Sequence, residues 1–174
     1  IYHTIHSEPS KDLPLIYRIF IKKSILLGKV KLVGVCNYIS NRASTLYRCS
    51  CITIQNGVDL YDFPKGERSH SNITNFLFVG RFDRVKRLPI LLEAFEHIKN
   101  RNSSLTICGY GKDENKIVAL IKNNRNSNKI NYLGKINNLN PIYLKSDVLC
   151  LISEREGLPI TILESIAYGL SFIV

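Results

Sequence analysis

The spacing of apolar positions changes along this chain. Short apolar runs alternate with stretches in which apolar residues recur every three or four positions. The first pattern predicts buried strands and the second predicts helices packed on them. Runs at 76–79, 105–108, 130–133 and 147–152 predict strands, and a last run opens at Phe172. Between them Leu88, Leu91, Leu92, Phe95 and Ile98 keep helical spacing, as do Ile117, Leu120 and Ile121, with a short helix at 141–145. This alternation predicts an α/β fold, a Rossmann-like parallel sheet with helices on both faces. Upstream, residues 2–7 read as a strand end and loop, 32–36 as a strand, 40–47 as a short helix and 51–54 as a strand closed by an Asn56-Gly57 turn. Leu15, Ile16, Ile19, Phe20, Leu26 and Leu27 keep helical spacing among Arg18, Lys22, Lys23, Lys29 and Lys31. Such a basic helix either packs on a sheet with a solvated charged face or lies on an anionic membrane surface. Residues 60–75 are polar, carry Pro64 and Gly66, and read as a linker. The division expected is therefore 1–60, the end of one domain and a hinge, and 61–174, a second domain.

The chain is organised around residues 153–169. After the strand at 147–152, Gly157 allows a tight turn and Pro159 suits a helix start. Ile160, Leu163, Ile166 and Ala167 continue at helical spacing, and Gly169 stops the helix. Glu156 then sits at the mouth of the helix and Glu164 just past its first turn, near the end that attracts anions. Two carboxylates beside an anion site make sense for a ligand that also carries hydroxyls, and a nucleotide sugar has both. A second candidate is Gly80-Arg81-Phe82-Asp83-Arg84-Val85-Lys86-Arg87, which follows a strand. Gly80 admits a close approach to the backbone, while Arg81 and Lys86 can both reach one diphosphate. Gly109-Tyr110-Gly111 is a lone GxG with Glu at position 114, so it is no dinucleotide fingerprint, and no Walker A pattern occurs. All these segments fall at strand ends where α/β sheets bind ligands.

Composition narrows the field further. The chain has 174 residues and a formal net charge of +10, which admits nucleic acid, an anionic membrane or a phosphorylated ligand. The pattern lacks the interleaved aromatics of single-strand binders, so no nucleic-acid partner is expected. Five cysteines are irregularly spaced. They predict core packing rather than zinc binding, and a reducing compartment. No apolar run reaches the ~18 residues of a membrane span. Without Met and with a strand at its very end, the chain reads as a fragment cut at both ends.

Glu156 and Glu164, within E-G-L-P-x-x-x-x-E-S-x-A-x-G, resemble the paired-glutamate motif of the retaining glycosyltransferases of family 4, the group 1 glycosyl transferases, which have the GT-B fold. One position departs from the family pattern: Ser171 stands where Pro is usual, on the way into a strand. The Gly-Arg-x-x-x-x-Lys pattern of Gly80, Arg81 and Lys86 is similar to the family's donor-diphosphate loop. The resemblance implies that Gly109-Tyr110-Gly111 is a structural turn, that Lys135 and Ile136, after Gly134, lie near the nucleotide base, and that Asn56-Gly57-Val58-Asp59 leads into the donor domain. It matches His6 loosely to a cleft-facing His that contacts donor phosphate or sugar.

The activity implied is transfer, with retention, of a hexosyl-type unit from a UDP- or GDP-sugar to a glycan or lipid-linked acceptor in cell-surface polysaccharide synthesis. Arg81, Lys86 and the helix start at Gly157 and Leu158 would hold the leaving diphosphate, Glu156 the sugar hydroxyls and Glu164 the ribose diol. A glycosidase-like acid and nucleophile pair would need the two carboxyls about 5–5.5 Å apart across one bond, which a loop Glu and a Glu well into the helix suit poorly. No cofactor or metal is expected. The setting expected is cytoplasmic, peripheral on the inner face of the membrane, and residues 1–174 alone are expected to be inactive. Alternatives are a nucleotide-sugar epimerase of the same fold, which needs no acceptor, and a basic phosphate- or membrane-binding module, indifferent to sugar identity.

Overall fold

The computed structural model describes residues 1–11, 13–59, 72–99 and 102–174. They fall into two compact units. One is Ile1–Gly57 with Arg155–Ile160, and the other is Val58–Glu154 with Thr161–Val174. The linker expected at 60–75, and the 60/61 boundary within it, lie mostly outside the described residues.

In the first unit, strands β1 (Tyr2–Ile5), β2 (Lys31–Gly34) and β3 (Cys51–Thr53) pair in parallel, in that order. Helix α1 (Leu15–Leu26) links β1 to β2, and α2 (Asn37–Tyr47) links β2 to β3. Ile5, Leu32, Ile39, Ala43 and Tyr47 form the core. The loop after β1 is tied to α2 through Glu8, whose carboxylate accepts from Ser10 Oγ at 2.9 Å and from Arg42 Nη2 at 3.3 Å.

Helix α1 packs on the core, but not through the residues that set its period. None of its residues is buried. Leu15, Ile16, Ile19, Phe20, Leu26 and Leu27, which set its period, are all exposed. The contact with the core comes instead from Ile21 and Ile25, partly buried. At about 100° per residue these two lie on roughly the opposite side from the exposed apolar stripe. A helix apolar on two sides gives a periodicity signal that does not say which side packs. Among the described residues no helix is long and apolar enough to cross a membrane.

The second unit holds β4 (Thr74–Val79), α3 (Leu88–Glu96), β5 (Ser103–Cys108), α4 (Glu114–Asn123), β6 (Ile130–Gly134), α5 (Asn140–Leu144), β7 (Val148–Cys150), α6 (Ile160–Ala167) apart from its first residue, and β8 (Ser171–Ile173). The strands are parallel in the order β6-β5-β4-β7-β8. Side chains alternate between the two faces of the sheet. Phe78, Leu105 and Ile107 pack with Phe82, Leu92, Phe95 and Ile117 under α3 and α4. Leu77, Val79, Cys108 and Leu149 pack with Tyr143, Tyr168 and Leu170 around α5 and α6. Strands β4 and β5 begin earlier than their apolar runs, because the Thr74↔Ser103 and Asn75↔Ser104 pairs extend the ladder with polar residues. Asp147 explains the start of β7. Its N–H donates to Asn75 O at 2.8 Å, and its Oδ2 accepts from Asn75 N at 2.8 Å. The chain runs outward from β4 through β5 to β6, then returns to the other side of β4. Carboxyl ends of strands at such a reversal are where open sheets bind ligands.

Candidate functional site

Within the second unit, the carboxyl ends of β4, β5 and β6 open into a cavity of about 250 Å³. Val79, Gly80 and Arg81 line it from β4, Cys108, Gly109 and Tyr110 from β5, and Lys135 and Ile136 from β6, with Leu139 ahead of α5. Of the residues expected at the site, Gly80, Arg81, Lys135 and Ile136 thus share one cavity. Tyr110 was not expected to be part of a site. Its ring lies under Lys135 Nζ, 5.1 Å from the centroid, a cation–π pair that can present a flat aromatic face to a planar ligand. The signal was present inside the GxG, where a large aromatic stands between two glycines. Cys108 forms part of the wall. Burial pushes its thiol up to about 11, so it is a neutral lining group and not a nucleophile.

The loop after β4 is built to carry cations. Asp83 Oδ1 accepts from the N–H groups of Val85 at 3.0 Å and Lys86 at 3.2 Å, capping a 3-10 turn at Arg84–Lys86. Lys86 runs beside Gly80, its Cδ 3.7 Å from where a Gly80 Cβ would stand. Arg81 is exposed, with Asp83 Oδ2 at 3.8 Å from Nη2. A pair of this length with its cation in solvent is worth about 0–1 kcal/mol, so the guanidinium can turn to a ligand at little cost. Arg87 occupies the left-handed region at φ 50 and pairs with Glu154 at 3.9 Å, away from the cavity.

The GxG loop meets this one by backbone contact. Gly109 has φ +145, and a Cβ there would run into the Gly80 carbonyl. Glycine is needed at 109 for both reasons.

Residues 155–160 group with the first unit. There the Gly157 backbone packs directly on the His6 carbonyl and near Val35 Cγ2, leaving no room for a side chain. Asn56 Nδ2 donates to Leu158 O at 2.7 Å. His6 itself is exposed, and it is its main chain that meets Gly157. Glu156 is half-buried in this segment. Pro159 precedes α6, which starts at Ile160, and Gly169 ends the helix turn at φ 70. Glu164, on α6, is half-buried and accepts from Tyr143 Oη at 2.7 Å, a partner that the sequence pattern did not reveal. Among the described residues there is no group of three or more His, Cys, Asp and Glu that could hold a metal ion.

A doubly covered parallel sheet, with a cation- and glycine-lined cavity at its strand ends, is an open α/β unit of the kind that binds ligands at the carboxyl ends of its strands. Residues 62–174 match the family described as glycosyl transferases group 1, and the chain belongs to that family. It is 32% identical over 171 residues to the capsular polysaccharide biosynthesis glycosyltransferase CapH of Staphylococcus aureus, covering 94% of this chain and 45% of CapH. It is 35% identical over 95 residues to an α-1,4-N-acetyl-D-galactosaminyltransferase of Campylobacter jejuni, covering 53% of this chain and 26% of that relative. Among solved structures, a mutant of TarM of Staphylococcus aureus in complex with fondaparinux, α-GlcNAc-glycerol and UDP matches 98% of this chain and 36% of its own, with a TM-score of 0.83 at 16% identity. The α/β fold expected from the motif, that of the GT-B glycosyltransferases, is the fold found. The chain spans less than half the length of the curated relatives it matches.

Proposed function

We propose that the full-length protein is a retaining glycosyltransferase that moves a sugar from a nucleoside-diphosphate sugar to a hydroxyl of a glycan or lipid-linked acceptor, in cell-surface polysaccharide synthesis. The observation that carries this is the cavity at the ends of β4, β5 and β6, where backbone, two cationic side chains and an aromatic face meet. A base stacked near Tyr110 and Ile136 would bring its diphosphate toward Arg81 and Lys86. These cations offset charge that grows on the leaving diphosphate, which lowers the barrier only as far as it is stronger in the transition state. Glu156 holds hydroxyls of the transferred sugar, and Glu164 the ribose diol. Retention is supported by the seven-residue interval between Glu156 and Glu164 and by family membership. The names of the relatives point to polysaccharide or lipid-linked glycan assembly.

With Arg81 and Lys86 as counter-charges, no metal ion is required in this scheme, and turnover is expected to survive chelation by EDTA. The deciding experiment is kinetic. In the full-length enzyme, Arg81→Ala and Lys86→Ala are each expected to lower kcat/KM about 10²-fold, with kcat falling as well. Lys86→Arg should recover little, because the two cations differ in shape. Near-normal kinetics in both alanine variants would reduce this loop to a solvated basic face. Donor consumption without an acceptor, yielding an isomerised nucleotide sugar, would replace the transferase with an epimerase.

A further inference from the structure

Glu164 is held by the protein before any ligand arrives. Tyr143, on α5 and 1% exposed, donates its hydroxyl to Glu164 Oε2 at 2.7 Å. Among the described residues it is the hydrogen-bond partner of that carboxylate. The Tyr143 ring stacks on that of Tyr168, with centroids 5.0 Å apart and planes 11° from parallel. Tyr168 in turn donates its backbone N–H to Glu164 O at 3.0 Å, at the end of α6. Tyr143 therefore cannot swing, because its ring is clamped by Tyr168 and the core around Leu77 and Leu149. Burial first, and then the bond to Glu164, hold the Tyr143 hydroxyl well above its ordinary value. It stays a neutral donor at any working pH. A hydroxyl this deeply buried must find an acceptor or bear the full penalty of desolvation, and Glu164 is the acceptor it has.

One donated bond fixes one carboxylate oxygen and hence the plane of the group. Oε1 and the remaining lone pair of Oε2 are left as acceptors. We propose that Tyr143 is a positioning residue for donor binding: it locks the Glu164 carboxylate so that its remaining acceptors meet the two ribose hydroxyls of the nucleoside diphosphate. This rests on the ribose role given to Glu164 above. Without Tyr143 the carboxylate would retain its charge but sample several rotamers, and the bidentate match to a diol would be lost more than general affinity. A purely structural bond between α5 and α6 would instead change stability and leave ligand selectivity alone.

The test measures binding of uridine and guanosine diphosphate, each beside its 2′-deoxy form, to full-length wild type, Tyr143→Phe, Glu164→Gln and the double variant, by calorimetry. Tyr143→Phe keeps the ring and its stacking. Wild type is expected to prefer the ribo form of its nucleotide by about 10- to 100-fold, as bonds to a charged acceptor suggest. Tyr143→Phe should lose most of that preference while binding the deoxy form like wild type, and should add little to Glu164→Gln in the double variant. A Tyr143→Phe protein with undiminished preference, or with ribo and deoxy affinities lowered alike, overturns the role of Tyr143 alone. A wild type without preference for either nucleotide overturns the ribose reading and this proposal with it. A crystal structure of the wild-type complex is a check that needs no variant. The Tyr143–Glu164 bond should persist there with the carboxylate in reach of the ribose, and a Glu164 turned away from Tyr143 would refute the idea.

Discussion

At the scale of single residues, this protein depends on side chains that are missing as much as on those present. Gly109 is the sharpest case. Its φ of +145 is outside the range of L side chains, and a Cβ would collide with the Gly80 carbonyl. Gly109→Ala should therefore destabilise the fold by at least about 1–3 kcal/mol, measured by urea unfolding of the full-length protein, and should weaken nucleotide binding in the same variant. An alanine variant of unchanged stability would mean that the two loops can separate without loss. The glycine itself was visible in the sequence as part of a GxG, but its reason was not. The collision partner is a main-chain atom from a different strand, and only the pairing of β4 with β5 brings it there. Arg81 and Lys86 were legible from their spacing after a strand. Tyr110 and Tyr143 were not, since an aromatic in a loop and a tyrosine on a short helix most often serve ordinary packing.

At the scale of elements, helix α1 has an apolar period that does not mark its packed side. Its exposed stripe of Leu15, Ile16, Ile19, Phe20, Leu26 and Leu27 runs beside Lys22 and Lys23. Apolar residues flanked by lysines fit an anionic lipid surface, with the chains inserted shallowly and the ammonium groups at the headgroups. We propose that α1 attaches the full-length protein to such a surface. Sedimentation with liposomes tests this. Binding should rise with the anionic lipid fraction, fall with salt and fall again in a Lys22→Glu/Lys23→Glu variant. Equal binding to neutral and anionic vesicles, or none to either, would sink the idea. The period of α1 was readable in the sequence, but the packed side was not, because Ile21 and Ile25 are outnumbered by the apolar residues that stay exposed.

At the scale of the whole molecule, the chain spans less than half the length of the curated relatives it matches. We propose that transfer needs both the donor unit and an acceptor-binding part supplied elsewhere in the full-length protein. Residues 1–174 alone are then expected to bind a nucleoside diphosphate weakly and to turn over no nucleotide sugar. A rate near that of the intact enzyme would refute the need for a second part. Ordering substrate between two bodies contributes through orientation, which can amount to about 7–11 kcal/mol of a barrier, so its loss should be all but complete.

The alternation of strands and helices, the direction of the sheet and the two charged loops were all legible in the sequence alone. Each rests on local chemistry: apolar period, the turn at Gly157 and the helix stop at Gly169, and the cations at fixed spacing after a strand. Only the tertiary structure decided which of these residues meet. It joined Gly80, Arg81, Lys135 and Ile136 around one cavity, set Tyr110 beneath Lys135, pressed Gly157 on the His6 carbonyl and bonded Tyr143 to Glu164. These contacts span up to 151 positions of chain, from His6 to Gly157, and such separations are closed by strand pairing and side-chain packing rather than by any local preference. The polar starts of β4 and β5 have the same cause, since a ladder satisfies backbone groups whatever side chains they carry.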